Sequence, residues 1–354
     1  MKIENIVVAT SGNLTGLTEY FDFNQIPYTQ VDLWNTKING CDLNIASLQE
    51  NNTLLVVSNM TFIEICSCDN SKAQLIEFCK NNKIWVWADM DGLIQASTNQ
   101  KLLIQIDQLI LSGSILLFFD GNLSAHHKFL KLQNIQYTII PYSFFIRYPR
   151  ITNAQVDKHN CSRDFMLTAV KKHDRPHRDV LWNQLIAIPG LVDHGYVSYG
   201  SGVTRIGMQS HQQTWSDGHP SMDLYLDSWL EIVPETAYRD IYYVTEKTVK
   251  PIATKTPFLI VSNRYYLDYL RELGFKTFDT LIDEQYDQQA RVEDRVQLML
   301  LQLQDIIKNG SESFYKECAL ILEHNQHRLF EINGQRQYNI DMFIAQHLDQ
   351  IGIC

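Results

Sequence analysis

Tyr243, Thr245, Glu246 and Lys247 bring an aromatic ring, a hydroxyl, a carboxylate and an ammonium together between two apolar runs. A carboxylate directly before an ammonium, where a loop enters a helix, can accept from two ribose hydroxyls while the ammonium and the helix N-terminus meet a diphosphate. Those are the needs of a nucleotide-sugar site. Tyr243 can stack on the nucleotide or hydrogen-bond to it. The same residues also have a plainer use, with Glu246 and Lys247 as a solvated helix start and Tyr243 as a core ring. Upstream, Lys171, Lys172, Arg175 and Arg178 form a basic cluster in a chain whose formal net charge is -10, so any phosphate site has to be local.

The run Tyr243-Val244-Thr245-Glu246-Lys247 resembles, letter for letter, the donor-site signature of the α1,3/α1,4-fucosyltransferases. Within Arg175 to Leu185, Arg178 corresponds to the arginine that opens a helix and contacts the donor phosphates in that family. Leu230 to Thr236 resembles the strand, closed here by Glu235 and Thr236, that precedes the signature in many nucleotide-sugar transferases, and Pro257 to Val261 reads as the next buried strand. The resemblance spans residues 165 to 290 and leaves the N-terminal half unmatched. It implies a glycosyltransferase whose donor-binding residues are Arg178, Glu235, Tyr243, Thr245, Glu246 and Lys247, with GDP-fucose the first donor to try. No cofactor is implied beyond the nucleotide-sugar co-substrate, and a divalent metal is not expected. The implied acceptor is a glycan, a lipid-linked saccharide, a protein or a small molecule.

An inverting transferase without a metal has to neutralise its departing nucleoside diphosphate with fixed cations and helix N-termini, and a carboxylate has to deprotonate the acceptor hydroxyl. Arg178 and Lys247 are the expected cations and Glu246 the ribose ligand. The base is expected in the N-terminal half, where Glu64, Asp89, Asp91 and Asp120 all follow apolar runs that read as strands. Open α/β sheets bind ligands at that edge, although carboxylates also cap helices there. Asp89-Met90-Asp91 doubles as a pair that could hold a divalent ion in a metal-dependent transferase. Cys66 and Cys68, His126 and His127, His173 and His177, and His211 and His219 lack structural-zinc spacing, and His177 could touch phosphate. Asp283 to Asp287 is either an acceptor cluster or a solvated helix start.

Strands and helices alternate in the order of open parallel sheets. Ile6 to Thr10, Thr29 to Leu33, Thr53 to Ser58, Ile84 to Ala88, Ile115 to Phe119 and Gln136 to Ile140 read as strands, with helices at Leu14 to Phe23 and Lys72 to Asn81. Pro141 to Gln155 is the connection to a second half. There, Asp164 to Lys171 is helix or strand, Arg178 to Ile188 a helix, and Gly195 to Gly202 a glycine-rich turn that could approach a phosphate. A strand within Met222 to Val233, a helix from Thr248 to Thr254, and a helix from Tyr265 to Leu273 with Gly274 at its C-cap follow. Lys276 to Phe278 reads as a short strand. Val292, Val296, Met299, Leu300, Leu303 and Ile306 mark one buried helix face. Two further helices open at Phe314 and Ile340.

The fold expectation is therefore α/β, with two Rossmann-like domains, 1–150 on the acceptor side and 151–354 holding the nucleotide sugar and the terminal helices. Such a pair is the GT-B architecture. With 45% hydrophobic and 20% charged residues, a chain of 354 residues can bury two cores and is neither disordered nor membrane-embedded. No run approaches a spanning helix, and the acidic balance argues against nucleic-acid binding. Seven cysteines without a Cys-x-x-Cys pair suggest reduced thiols, and Met1 to Ala9 enters a strand directly instead of a signal peptide, so a cytoplasmic location is expected. No Gly-x-Gly-x-x-Gly or phosphate-binding Gly-x-x-x-x-Gly-Lys loop exists, which disfavours a dehydrogenase or kinase. The remaining alternative is a non-catalytic nucleotide-sugar or glycan-binding protein.

Overall fold

A computed structural model describes residues 4–9, 21–22, 25–31, 52–58, 69–88, 115–120, 137–140, 156–170, 176–200, 204–207, 222–235 and 244–350. The chain forms two compact units, Met1–Ser143 with Gln335–Cys354, and Phe144–Gly334. The sequence division at 150 keeps the last helix with the second half, whereas these units assign its end to the first.

The first unit holds a six-stranded parallel sheet in the order β2-β1-β3-β4-β5-β6. Its strands are β1 (Asn5–Ala9), β2 (Thr29–Val31), β3 (Thr53–Ser58), β4 (Lys83–Ala88), β5 (Ile115–Asp120) and β6 (Tyr137–Ile140), and helix α1 (Asp69–Phe78) connects β3 to β4. Leu54, Leu55, Val56 and Val57 are all fully buried. A run of consecutive buried apolar residues is what a strand covered on both faces requires.

The second sheet has the order β11-β10-β7-β8-β9. β7 (Arg163–Val170), β8 (Gly195–Gly200), β10 (Ser228–Pro234) and β11 (Phe258–Val261) run parallel, and β9 (Thr204–Ile206) pairs antiparallel with β8. Asp164 to Lys171, undecided in sequence, is thus strand β7 over most of its length. Gly195 to Gly200 is a strand and not the expected turn. The reason lies at Gly195, where a Cβ would stand 2.4 Å from the Phe165 ring, so only glycine lets β8 lie against β7 there.

The helices of this unit are α2 (Pro176–Ala187), α3 (Met222–Leu226), α4 (Glu246–Ala253), α5 (Tyr266–Glu272), α6 (Val292–Asn309), α7 (Ser311–Glu317) and α8 (Ala319–Gln350). α6 packs against α2 and buries Val296, Met299, Leu300, Leu303 and Ile306, the periodic face expected. α5 closes on Gly274, whose φ of 89° suits glycine; its N–H donates to the Arg271 carbonyl, and that of Phe275 to the Leu270 carbonyl. Lys276 to Phe278 does not form the expected strand. The Asn325 amide takes both backbone groups of Lys276, accepting from its N–H at 2.7 Å and donating to its carbonyl at 2.8 Å. The two helices expected after Phe314 are instead a short α7 and one continuous α8 of 32 residues. Among the described residues, no helix is long and apolar enough to cross a membrane.

Candidate functional site

β8 follows β7 on one side while β10 lies on the other, so the strand order reverses between β7 and β10. Loops leaving neighbouring parallel strands in opposite directions open a crevice at their C-terminal ends, where open α/β sheets take ligands. α2 is the helix that follows β7 and α4 the one that follows β10. Arg178 lies in the first turn of α2, and Glu246 and Lys247 begin α4. Two segments far apart in sequence therefore meet at the reversal.

His177 makes the link between them. Its ring is fully buried and Nε2 is 2.7 Å from the Glu235 carbonyl oxygen, tying the start of α2 to the end of β10. That bond corrects the idea that His177 touches phosphate: the ring faces the protein. Arg178, its neighbour, is 2% exposed.

Glu235, fully buried, holds the start of α4 in place. Its carboxylate accepts from the Thr245 hydroxyl, the Thr245 N–H at 3.3 Å, the Thr248 hydroxyl at 2.5 Å and the Tyr266 hydroxyl at 3.3 Å. Its own N–H donates to the Val261 carbonyl at 3.0 Å, so β11 is tied in as well. A buried carboxylate is stable only when its lone pairs are filled, and here hydroxyls and an amide fill them. Glu235 thus acts through the turn it positions. Thr245 is the N-cap of α4: its oxygen accepts from the Lys247 N–H at 3.3 Å while its hydrogen goes to Glu235.

Glu246 and Lys247 form an ion pair with side chains 17% and 15% exposed. Burial pushes the Glu246 carboxyl up, but the Lys247 ammonium and the hydrogen bonds outweigh it and leave the group below its ordinary value. The pair therefore presents a committed carboxylate and an ammonium at a helix start, where the helix dipole adds positive potential. Thr248 and Tyr266 were not singled out by sequence, since a hydroxyl aimed at a distant carboxylate leaves no local pattern.

Tyr243, Glu64, Asp89 and Asp91 lie outside the described residues. Asp120 is the last residue of β5, level with Ile140 of β6, and so stands at the C-terminal end of the first sheet. The Asp283 to Asp287 cluster is a clamp behind α5. Glu284 accepts from Arg271, the Thr277 hydroxyl at 2.9 Å and the Phe278 N–H at 2.7 Å, and Asp287 accepts from the Leu267 N–H at 2.9 Å. A cavity of about 560 Å³ lined by Asp279, Asp283, Asp305 and Glu317 involves no α4 residue, and its carboxylates would repel a diphosphate. Among the described residues no group of three or more His, Cys, Asp or Glu side chains could hold a metal ion. No protein-family model and no curated protein matches this chain.

Proposed function

We propose that the second unit binds the nucleoside diphosphate of a nucleotide sugar and that the chain is a GT-B glycosyltransferase. It moves a sugar, with fucose from GDP-fucose the first to try, onto an acceptor hydroxyl. One observation carries this reading: Arg178 and the Thr245 to Lys247 segment, which share no local sequence, converge at the strand-order reversal of one sheet. Convergence there supports a ligand site better than five matching letters could.

Nucleotide entry exchanges the Glu246–Lys247 pair for two ligand contacts. The carboxylate takes ribose hydroxyls, and the ammonium, with the N–H groups opening α4, meets the diphosphate. As the bond from the anomeric carbon to the diphosphate breaks, negative charge grows on the leaving oxygen, and Arg178 and Lys247 stabilise it in a crevice of low dielectric. A carboxylate takes the acceptor proton, with Glu64, Asp89, Asp91 and Asp120 as candidates.

Calorimetric titration with GDP, UDP, ADP and CDP, with and without magnesium or manganese, tests the reading beside Glu246→Ala and Arg178→Ala. Metal-independent binding of one diphosphate, weakened at least about tenfold in both variants, is the expected result. Because Arg178 is buried, Arg178→Lys serves if the alanine variant does not fold. No binding of any diphosphate to the wild type would overturn the proposal. Binding without sugar transfer would leave the non-catalytic alternative.

A further inference from the structure

We propose that Arg264 and Tyr265 form the platform on which the nucleobase stacks, an assignment that rests on the nucleotide reading above. The pair follows β11, at the same C-terminal sheet edge as α4. Pro234 at the end of β10 is level with Val261 at the end of β11, so the two loops leave the sheet side by side. Tyr266, the next residue, is fully buried, and its hydroxyl reaches Glu235 and Thr248 in the first turn of α4. Tyr266 thereby ties the start of α5 to the helix start that carries Glu246 and Lys247.

Along this edge the order of groups is Arg264–Tyr265 after β11, Glu246–Lys247 after β10 and Arg178 after β7. Neighbouring strands stand about 4.8 Å apart, close to the step from base to ribose and from ribose to phosphate in an extended nucleotide. With ribose at Glu246 and phosphate toward Arg178, the base falls at β11.

The pair is built for that task. The Arg264 guanidinium sits 4.5 Å from the centroid of the Tyr265 ring, and its Nε donates to the Gln288 carbonyl at 2.6 Å. Tyr265 is 38% exposed. Tyr265 is held with φ at 64°, a left-handed conformation costly for a residue with a Cβ. Its N–H donates to the Asp287 carbonyl at 3.0 Å, while the Asp287 carboxylate anchors the Leu267 N–H. The clamp behind α5 thus fixes the backbone that carries the ring before any ligand arrives. A rigid aromatic face backed by a guanidinium stacks a flat heterocycle with little loss of conformational freedom.

The test is calorimetric titration of GDP, UDP, ADP and CDP into the wild type, Tyr265→Ala, Tyr265→Gly and Tyr265→Phe, with thermal midpoints as a control for folding. Tyr265→Gly removes the ring and suits the left-handed backbone. The dissociation constant of the best diphosphate should rise about tenfold in the alanine and glycine variants, with Tyr265→Phe within about threefold of the wild type. Unchanged affinity in both folded ring-deleted variants, while Arg178→Ala or Arg178→Lys weakens binding, would overturn the platform and leave the nucleotide site standing. A wild type that binds none of the four would overturn both.

Discussion

Glu231 and Glu235 belong to one stretch of chain, the first within β10 and the second just past its end, and both are buried, yet they are surrounded in different ways. Glu235 is surrounded by hydroxyls and an amide N–H that all point at it. Glu231 accepts a hydrogen bond from the Tyr225 hydroxyl at 2.7 Å and feels the ammonium groups of Lys250, Lys158 and Lys247. Burial pushes the Glu231 carboxyl up to about 8 despite those partners. Lys158, whose Nζ donates to the Ser228 carbonyl at 2.7 Å, is lowered by burial to about 7. The difference teaches that short-range donors can hold a turn around a buried carboxylate, whereas lysines spread around one leave desolvation in charge. The first arrangement lies at the C-terminal edge of the sheet and the second within the sheet.

Glu235→Ala should have the largest effect. It strips the acceptor from two threonines and a tyrosine that remain buried, and should cost about 4 kcal/mol in urea unfolding. A cost below that of Glu231→Gln would reverse the ranking of the two sites.

Glu231→Gln sharpens the contrast through pH. A carboxyl whose folded value lies above its unfolded value of 4.5 contributes stability that is present below 4.5 and lost as pH rises through about 8. Relative to the variant, the wild type should therefore lose about 3–4 kcal/mol between pH 5 and pH 8. Lys158→Met tests the opposite sign. Its ammonium is lowered from 10.5 to about 7, so stability present above 10.5 is lost as pH falls to 7. Stability curves that run parallel to the wild type in both variants would remove the electrostatic distinction between the two carboxylates.

Thr245→Val should have the smallest effect. It removes the N-cap oxygen of α4 and one donor to Glu235, for about 1 kcal/mol by thermal or urea unfolding. No measurable loss would mean that Thr248 and Tyr266 alone hold the helix start.

Strands β10 and β11 of the second unit were visible in sequence because their causes are local. Continuous apolar runs at Leu230 to Val233 and Phe258 to Val261 suit strands covered on both faces. The site was half visible: Glu246 and Lys247 stand at the helix start as read, but Glu235 looks inward and His177 binds a carbonyl. Gly195 looked like a turn residue because nothing near it announces the Phe165 ring. Lys276 looked like strand because the Asn325 amide that satisfies its backbone comes from α8.

The sequence by itself determined the α/β alternation, the apolar faces and the residue types at the start of α4, since propensity, periodicity and capping act within a few positions. Only the tertiary structure decided which strands are neighbours, and with them the approach of the start of α2 to the end of β10, the inward turn of Glu235 and the anchoring of Tyr265. Each of those depends on a burial or hydrogen-bond partner distant in the chain, and a side chain's choice among such partners is set by packing, which no local pattern records.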